Sequence, residues 1–318
     1  MDKSKPDQPK PDITLERMRT FVRVAERGNL SAVAREFRVG QSTVTRHLHE
    51  LEAAIGLPLL SRTTRSVTLT DEGRRYYQHC TQILRLVDQA SDEIRDARGA
   101  QEGLIRISCT AALGVLHVSR LIFAFQDQYP GIHIDLSLTD ERVDLVEEGI
   151  DIAIRLGVLS DSNLKLRTVG VSQRKLMAAP DWLTAHGDPQ TPAGLVGQEG
   201  IRMINVAGSD TLMLTGPDGT RHALPVGGRL RVDHGLAARE ALAAGRGIAP
   251  THVWLVDDLL AAGRVRVILP DYSLPPMPLN LLIVPERAAL ARVRLLVDYL
   301  AHELARLPGI VPARTLAA

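Results

Sequence analysis

Apolar positions recur at helical spacing three times in the first sixty residues. Leu15, Met18, Phe21, Val22 and Ala25 share one face, which predicts a first helix over about 14–26, ended by Gly28. Ser31 is placed to cap a second helix over 32–37. A third opens at Gly40 or Gln41, where Val44, Leu48, Leu51 and Ile55 follow 4, 3, 4 intervals and must face a core. That leaves Gln41, Ser42, Thr45, Arg46 and His49 on the outer face. Gly56-Leu57-Pro58 stops this helix. Residues 59–62 and 67–69 read as two short strands, with Thr63 to Ser66 at a hairpin tip.

Thr70-Asp71-Glu72 then begins a long helix, a capping hydroxyl followed by two acids at the positive end of the dipole. Tyr76, Cys80, Ile83, Val87, Ala90, Ile94 and Ala97 lie at alternating intervals of 4 and 3. This is a heptad seam, so Tyr76, Cys80, Ile83, Val87, Ala90 and Ile94 are expected to dimerise two copies. The competing reading is an amphipathic helix packed on its own domain.

Arg98 to Gly103 reads as a linker. Beyond it strands and helices alternate. Strands are predicted at 104–108, 132–138, 151–154, 175–178, 201–205, 212–215, 230–232, 265–269 and 279–284. Helices are predicted at 113–128, 143–148, 235–244 and 287–307. Gly216-Pro217-Asp218-Gly219 signals a hairpin. The alternation implies α/β layers with largely parallel sheets, in more units than one small sheet needs, hence two lobes.

Composition changes this picture in one respect. The 318 residues are 45% hydrophobic and 24% charged, with a formal net charge of only +1. From Ile13 to Leu69, however, nine arginines (17, 19, 23, 27, 35, 38, 46, 62, 65) face five acids, a local charge of +4. The basic segment suits a DNA-binding head on a neutral to acidic body. Aromatic residues at 3% argue against single-strand binding by base stacking. Two cysteines, Cys80 and Cys109, form neither a metal motif nor a disulfide framework, which points to a reducing cytoplasm, although either thiol is open to a redox role. Residues 1–12 carry three prolines and mixed charge, read as a disordered arm without the apolar core of a signal peptide. No stretch approaches the roughly 20 apolar residues of a membrane span, so no membrane partner is expected.

A helix-turn-helix docks its second helix in the major groove and reads bases with the early residues of that helix. Gln41 has the reach to pair with adenine, and Arg46 with guanine. Ser42, Thr43 and Thr45 suit phosphate or thymine-methyl contacts, His47 and His49 suit phosphate or solvent, and Ser31 and Thr64 are further DNA-binding candidates. Arg62 and Arg65, flanking the hairpin tip, suit phosphate or the minor groove.

These residues carry a resemblance. Phe21, Ser31 with Ala32 and Ala34, Gln41, Val44, Leu51-Glu52, Gly56, Leu59, Arg62, Leu69-Thr70 and Gly73 resemble the winged helix-turn-helix of LysR-type transcriptional regulators. Glu72-Gly73 with Tyr76-Tyr77, Tyr129-Pro130-Gly131, Val143 to Val146, Asp151 to Gly157 and Gly245 to Pro250 are similar to the CrgA-like branch. Gly40 departs from the serine the family usually has as its cap, and Leu60 from a common phenylalanine.

The resemblance implies an α+β multidomain protein. It would have an N-terminal winged helix-turn-helix (13–70), a long linker helix (71–99) and a two-lobed α/β effector domain (103–307) akin to periplasmic binding proteins. Lobe one would be 103–164 with 269–307, lobe two 165–268, and 308–318 a tail. It implies a small-molecule effector between the lobes, double-stranded DNA bearing an imperfect palindrome, a homodimer or homotetramer, and RNA polymerase as a further partner. Ligands in α/β clefts sit at strand C-termini and helix N-termini. The effector candidates there are Ser108, Cys109, Thr110, Ala111, Arg155, Asn205, Asp233 and Thr251, each of which also suits a capping or turn role. Arg155 suits either an anion or a pairing with Asp151 or Asp161. No nucleophile elbow, phosphate loop or histidine metal pair accompanies Cys109, so neither an enzyme nor a cofactor is expected. The rival reading is a solute-binding or enzymatic α/β protein whose N-terminal helices serve assembly.

Overall fold

A computed structural model describes residues 12–62, 67–96, 102–141, 144–157, 163–206 and 208–313. They divide into two compact units, the first made of the residues up to 98 together with 146–149 and the second of the remainder.

The first unit contains α1 (Leu15–Arg27), α2 (Leu30–Phe37), α3 (Gln41–Ile55), β1 (Leu60–Arg62), β2 (Val67–Leu69) and α4 (Asp71–Asp96). Thr14 caps α1 by accepting from the Arg17 N–H, and Gly28 ends it in the left-handed conformation. α2 starts earlier than predicted. Asn29, not Ser31, is its cap and accepts from the Ala32 N–H at 3.0 Å. Gly40 opens α3 with no side-chain bond. Phe21, Val24, Val33, Val44, Leu48, Leu51 and Leu59 form one buried core among the helices.

β1 and β2 pair antiparallel, Leu60 opposite Leu69. Glu52 fixes where this wing begins, because its Oε1 accepts the N–H of both Leu59 and Leu60. Thr70 holds the other end by donating to the Pro58 carbonyl and capping α4 at Gly73 N. Gly73 is the residue that lets α4 approach: a Cβ there would lie 1.9 Å from the Leu59 carbonyl oxygen. The expected arm up to residue 11 and the wing tip, with Thr64 and Arg65, lie outside the described residues.

α4 corrects part of the predicted seam. Cys80 is fully buried in the head's own core, and Tyr76 packs against the same core with its ring 5.8 Å from that of Phe21. Both therefore serve the competing reading, packing on their own domain. The seam continues into solvent, with Ile83, Ala90 and Ile94 exposed and Val87 half-buried. Leu86, outside the predicted seam, is 57% exposed beside them.

The second unit begins with β3 (Gly103–Cys109), α5 (Ala111–Leu113), a π turn (Gly114–Val118), α6 (Ser119–Gln128), β4 (Ile132–Leu138), β5 (Ile152–Leu156) and β6 (Lys165–Ser172). β7 (Arg174–Ala178), α7 (Pro180–His186), β8 (Arg202–Met203), β9 (Thr211–Thr215), β10 (Arg221–Pro225), β11 (Arg231–Val232), α8 (Gly235–Ala243), β12 (Ala249–His252), α9 (Val253–Ala261) and β13 (Arg266–Val267) follow. The chain then returns through β14 (Met277–Ile283), α10 (Ala291–Leu304) and β15 (Ile310–Val311).

Lobe one is a six-stranded sheet in the order β15-β6-β14-β5-β3-β4. β3 runs parallel to β4 and β5, whereas β14 pairs antiparallel with β5 and β6 and β15 antiparallel with β6, so the sheet is mixed rather than largely parallel. β6 belongs here, between β14 and β15, and not to lobe two as predicted. Its alternation was hidden because residues 165–168 are exposed and 170–172 turn inward. β15 likewise extends lobe one beyond the predicted end at 307. Lobe two centres on β7, flanked antiparallel by β12 and β13. Single bridges at Gly200 with Ile248 and Glu199 with Gly227 draw the neighbouring backbones in, and the parallel pair β8 and β11 continues beyond them. A Cβ on Gly228 would lie 2.0 Å from the Gly200 oxygen. The predicted hairpin is β9–β10.

Two predicted helices are corrected. Residues 145–149 form turns, and α10 begins at Ala291 because residues 284–290 are taken up by turns that bury Arg287. Arg287 meets Asp151 at 2.8 Å, both almost fully buried, so Asp151 is not the partner of Arg155.

Candidate functional site

Two places in the chain collect chemistry: the outer face of α2 and α3, and a cavity in lobe two. On α3, burial of Val44, Leu48 and Leu51 turns Gln41, Ser42, Arg46 and His49 outward, while Thr43 and Thr45 are half-buried. Thr45 spends its hydroxyl on the Gln41 carbonyl at 3.0 Å. Ser31 Oγ donates to Gln41 Oε1 at 3.0 Å, which orients the amide and leaves its NH₂ group outward. His47, by contrast, turns inward, with Nδ1 3.0 Å from Thr20 Oγ1 on α1.

The structure sorts the basic segment into two classes. Arg17 pairs with Glu50 at 2.6 Å, Arg19 with Asp88 at 3.4 Å, Arg23 with Glu26 and Glu36 at 2.6 Å each, and Arg27 with Glu36 at 3.2 Å. These arginines bind the head to itself. Arg35, Arg38 and Arg46 are exposed and pair with no carboxylate among the described residues. Arg38 ends α2 at φ 56°. Arg35 and Arg38 were missed as contact candidates, since a charge count cannot separate paired arginines from unpaired ones. Arg62 closes β1, and its side chain lies outside the described residues.

The predicted effector residues do not converge on one site. Ser108 is buried and accepts from Arg155 Nη2 at 2.6 Å, while Arg155 Nη1 reaches the Ile154 carbonyl. Cys109 is fully buried, and burial pushes its thiol up to about 12, so it is a packed, protonated side chain. Cys80 is pushed up to about 11 by the same cause. The Ala111 N–H donates to Asp140 Oδ1, and the buried Thr110 hydroxyl has no partner among the described residues. Asn205 Nδ2 donates to the Asp233 carbonyl, a link between two loops. Of the eight, only Thr251 lines the lobe-two cavity.

That cavity has a volume of about 390 Å³, within the range of small-ligand sites. Its walls come from β8, β9, α8, β12 and α9 of lobe two, the start of β7, and the start of β14 with the segment leading into it, with Ile201, Met203, Leu212, Leu255 and Met277 among the apolar residues. Arg174 and His252 stand at the lobe crossover end. Among the described residues, no three His, Cys, Asp or Glu side chains cluster as a metal site, and no helix is long and apolar enough to cross a membrane.

Comparison with known proteins decides what this arrangement is. Residues 15–74 match the bacterial regulatory helix-turn-helix protein, lysR family, and residues 98–305 match the LysR substrate binding domain. The chain belongs to the LysR family. This LysR-type regulator is 32% identical over 287 residues to the HTH-type transcriptional regulator DmlR of Escherichia coli (strain K12), covering 89% of this chain and 92% of that one. It is 29% identical over 291 residues to CrgA of Neisseria meningitidis serogroup C (strain 8013), covering 91% and 96%. Among solved structures it is similar to the full-length Vibrio cholerae virulence activator AphB, with TM-score 0.63, 27% identity and coverage of 91% and 99%. The structure of CrgA from Neisseria meningitidis gives TM-score 0.60, 27% identity and coverage of 93% and 100%. The LysR-type regulator is thus a DNA-binding transcription factor with a helix-turn-helix and an effector-binding domain, and not an enzyme.

Proposed function

We propose that this regulator reads double-stranded DNA with Gln41 and Arg46 and grips phosphates with Arg35 and Arg38, aided by Ser31, Ser42, Thr43, Thr45 and His49 and, from the wing, Arg62, Thr64 and Arg65. The observation that carries this reading is the sorting of charge: among the described residues, four arginines pair with carboxylates of the head itself, and three stay unpaired on α2 and α3. Two heads joined through the exposed half of α4 would meet an imperfect palindrome, its half-sites one helical repeat apart. The exposed Ile83, Leu86 and Ile94 support that pairing, and a homotetramer is the assembly proposed for such pairs. The effector sits in the lobe-two cavity and changes how the heads are held, a population shift between two arrangements. Contact with RNA polymerase and action in the cytoplasm complete the reading.

The test is a competition assay on the DNA upstream of the gene. Gln41→Ala and Arg46→Ala should each flatten base preference by about 1–3 kcal/mol at one position of each half-site. Arg35→Ala and Arg38→Ala should weaken all sequences alike. An Arg46→Ala variant with unaltered preference would show that another face of α3 reads the bases.

A further inference from the structure

The lobe-two cavity has a polarity of its own. Among the described residues its lining contains no Asp or Glu and two arginines. One of these is already answered: Arg239 reaches both carboxylate oxygens of Asp258 at 2.6 Å and the Leu255 carbonyl at 2.7 Å. Arg174 is not. Its Nη2 donates to the Pro275 carbonyl at 3.0 Å, its Nε is buried without a hydrogen-bond partner, and no carboxylate pairs with it among the described residues. The residue is half-buried, and that partial burial pulls its pKa down, the response of a cation partly withdrawn from water. An unpaired cation in such a place is costly unless something answers it.

His252 supplies a second directed group. Trp254 Nε1–H donates to Ser172 Oγ at 2.9 Å, and Ser172 Oγ lies 2.7 Å from His252 Nδ1. The serine hydroxyl, already an acceptor from the indole, has its own proton for Nδ1. With the serine proton directed at Nδ1, the imidazole is assigned as an acceptor there and a donor at Nε2. Burial and the neighbouring Arg174 both hold the ring neutral, pushing it down to about 3. The cavity thus offers one uncompensated positive charge and one neutral N–H donor at one end, and aliphatic and thioether walls elsewhere.

We propose that the cavity binds a small organic monoanion with an apolar body, its carboxylate seated against the Arg174 guanidinium and the His252 imidazole N–H. The assignment rests on the reading of this cavity as the effector site. A dicarboxylate fits worse, because its second charge finds Arg239 already paired with Asp258.

The experiment uses the full-length protein and matched acid and amide probes: benzoate with benzamide, and hexanoate with hexanamide. Binding is read by thermal shift and by fluorescence of Trp254, which stacks on His252 with ring centroids 5.3 Å apart. At roughly 10 mM probe, mass action makes even weak binding visible as a raised Tm. At least one acid should raise Tm while its amide does not. Arg174→Gln should weaken that acid on the order of 10- to 100-fold, and Arg174→Lys should recover part of the loss. Equal binding of acid and amide, or no shift with either acid, overturns the proposal. The acid–amide comparison on the unaltered protein stands even if the Arg174 variants fail to fold. DNA binding of the same preparations is measured in parallel. Absent acid selectivity rejects the anion assignment, whereas acid-selective binding that leaves DNA binding unchanged on adding the acid rejects the effector-site reading beneath it.

Discussion

At the scale of single residues, partnership decides role more than identity does. Nine arginines fall within the first 70 residues, but those paired to Glu36, Glu50 and Asp88 hold the head to itself, and among the described residues Arg35, Arg38 and Arg46 on α2 and α3 have no carboxylate partner. The same distinction holds in the second unit. Arg287 lies buried on Asp151, which also accepts the Arg106 N–H at 2.8 Å. Removing the cation leaves a carboxylate buried without its ion partner. Arg287→Leu should therefore cost about 3–5 kcal/mol, read as a lower denaturation midpoint in urea. A loss below about 1 kcal/mol would mean that the pair behaves like an exposed one.

At the scale of elements, close approaches of backbone matter most. Gly73 sits where α4 meets the chain entering the wing, and a methyl group there has no room beside the Leu59 oxygen. Gly73→Ala should shift that junction and destabilise the head by about 1–3 kcal/mol, with weaker DNA binding in an anisotropy titration. Wild-type behaviour of this variant would place the junction further apart than described. On the far half of α4, Leu86→Glu should shift the sedimentation profile toward monomer, because it puts charge among exposed apolar positions that await a partner.

These elements also show how much the sequence discloses. α1, α3 and the β9–β10 hairpin were legible because one face of each helix is buried and the turn chemistry is specific. The start of α2 was misplaced because Asn29 and Ser31 are both good caps, and only the helix direction chooses between them. β6 was missed because half of it faces solvent. The outward residues of α3 were readable as a list, while the cavity was not. Arg174 and His252 are 78 positions apart and meet only through the pairing of β7 with β12.

At the scale of the whole molecule, the effector unit should show a pH signature of its own. Folded His252 stays neutral down to about 3, whereas in the unfolded chain it takes a proton near the ordinary value of 6.5. Its contribution is therefore complete above about pH 6.5 and is lost as pH falls toward 3, by up to about 1.4 kcal/mol per pH unit. The slope of unfolding free energy between pH 6 and pH 4 should be shallower in His252→Gln; an unchanged slope would rule out a buried neutral ring. The central claim, however, concerns DNA. Its most direct measurement is a titration of the full-length protein onto its upstream DNA and onto scrambled DNA across a salt series. The account predicts tighter binding to the upstream fragment and a log–log salt slope of about −0.9 for each phosphate neutralised, reduced by about one unit in Arg35→Ala. Binding that ignores both salt and sequence would contradict it.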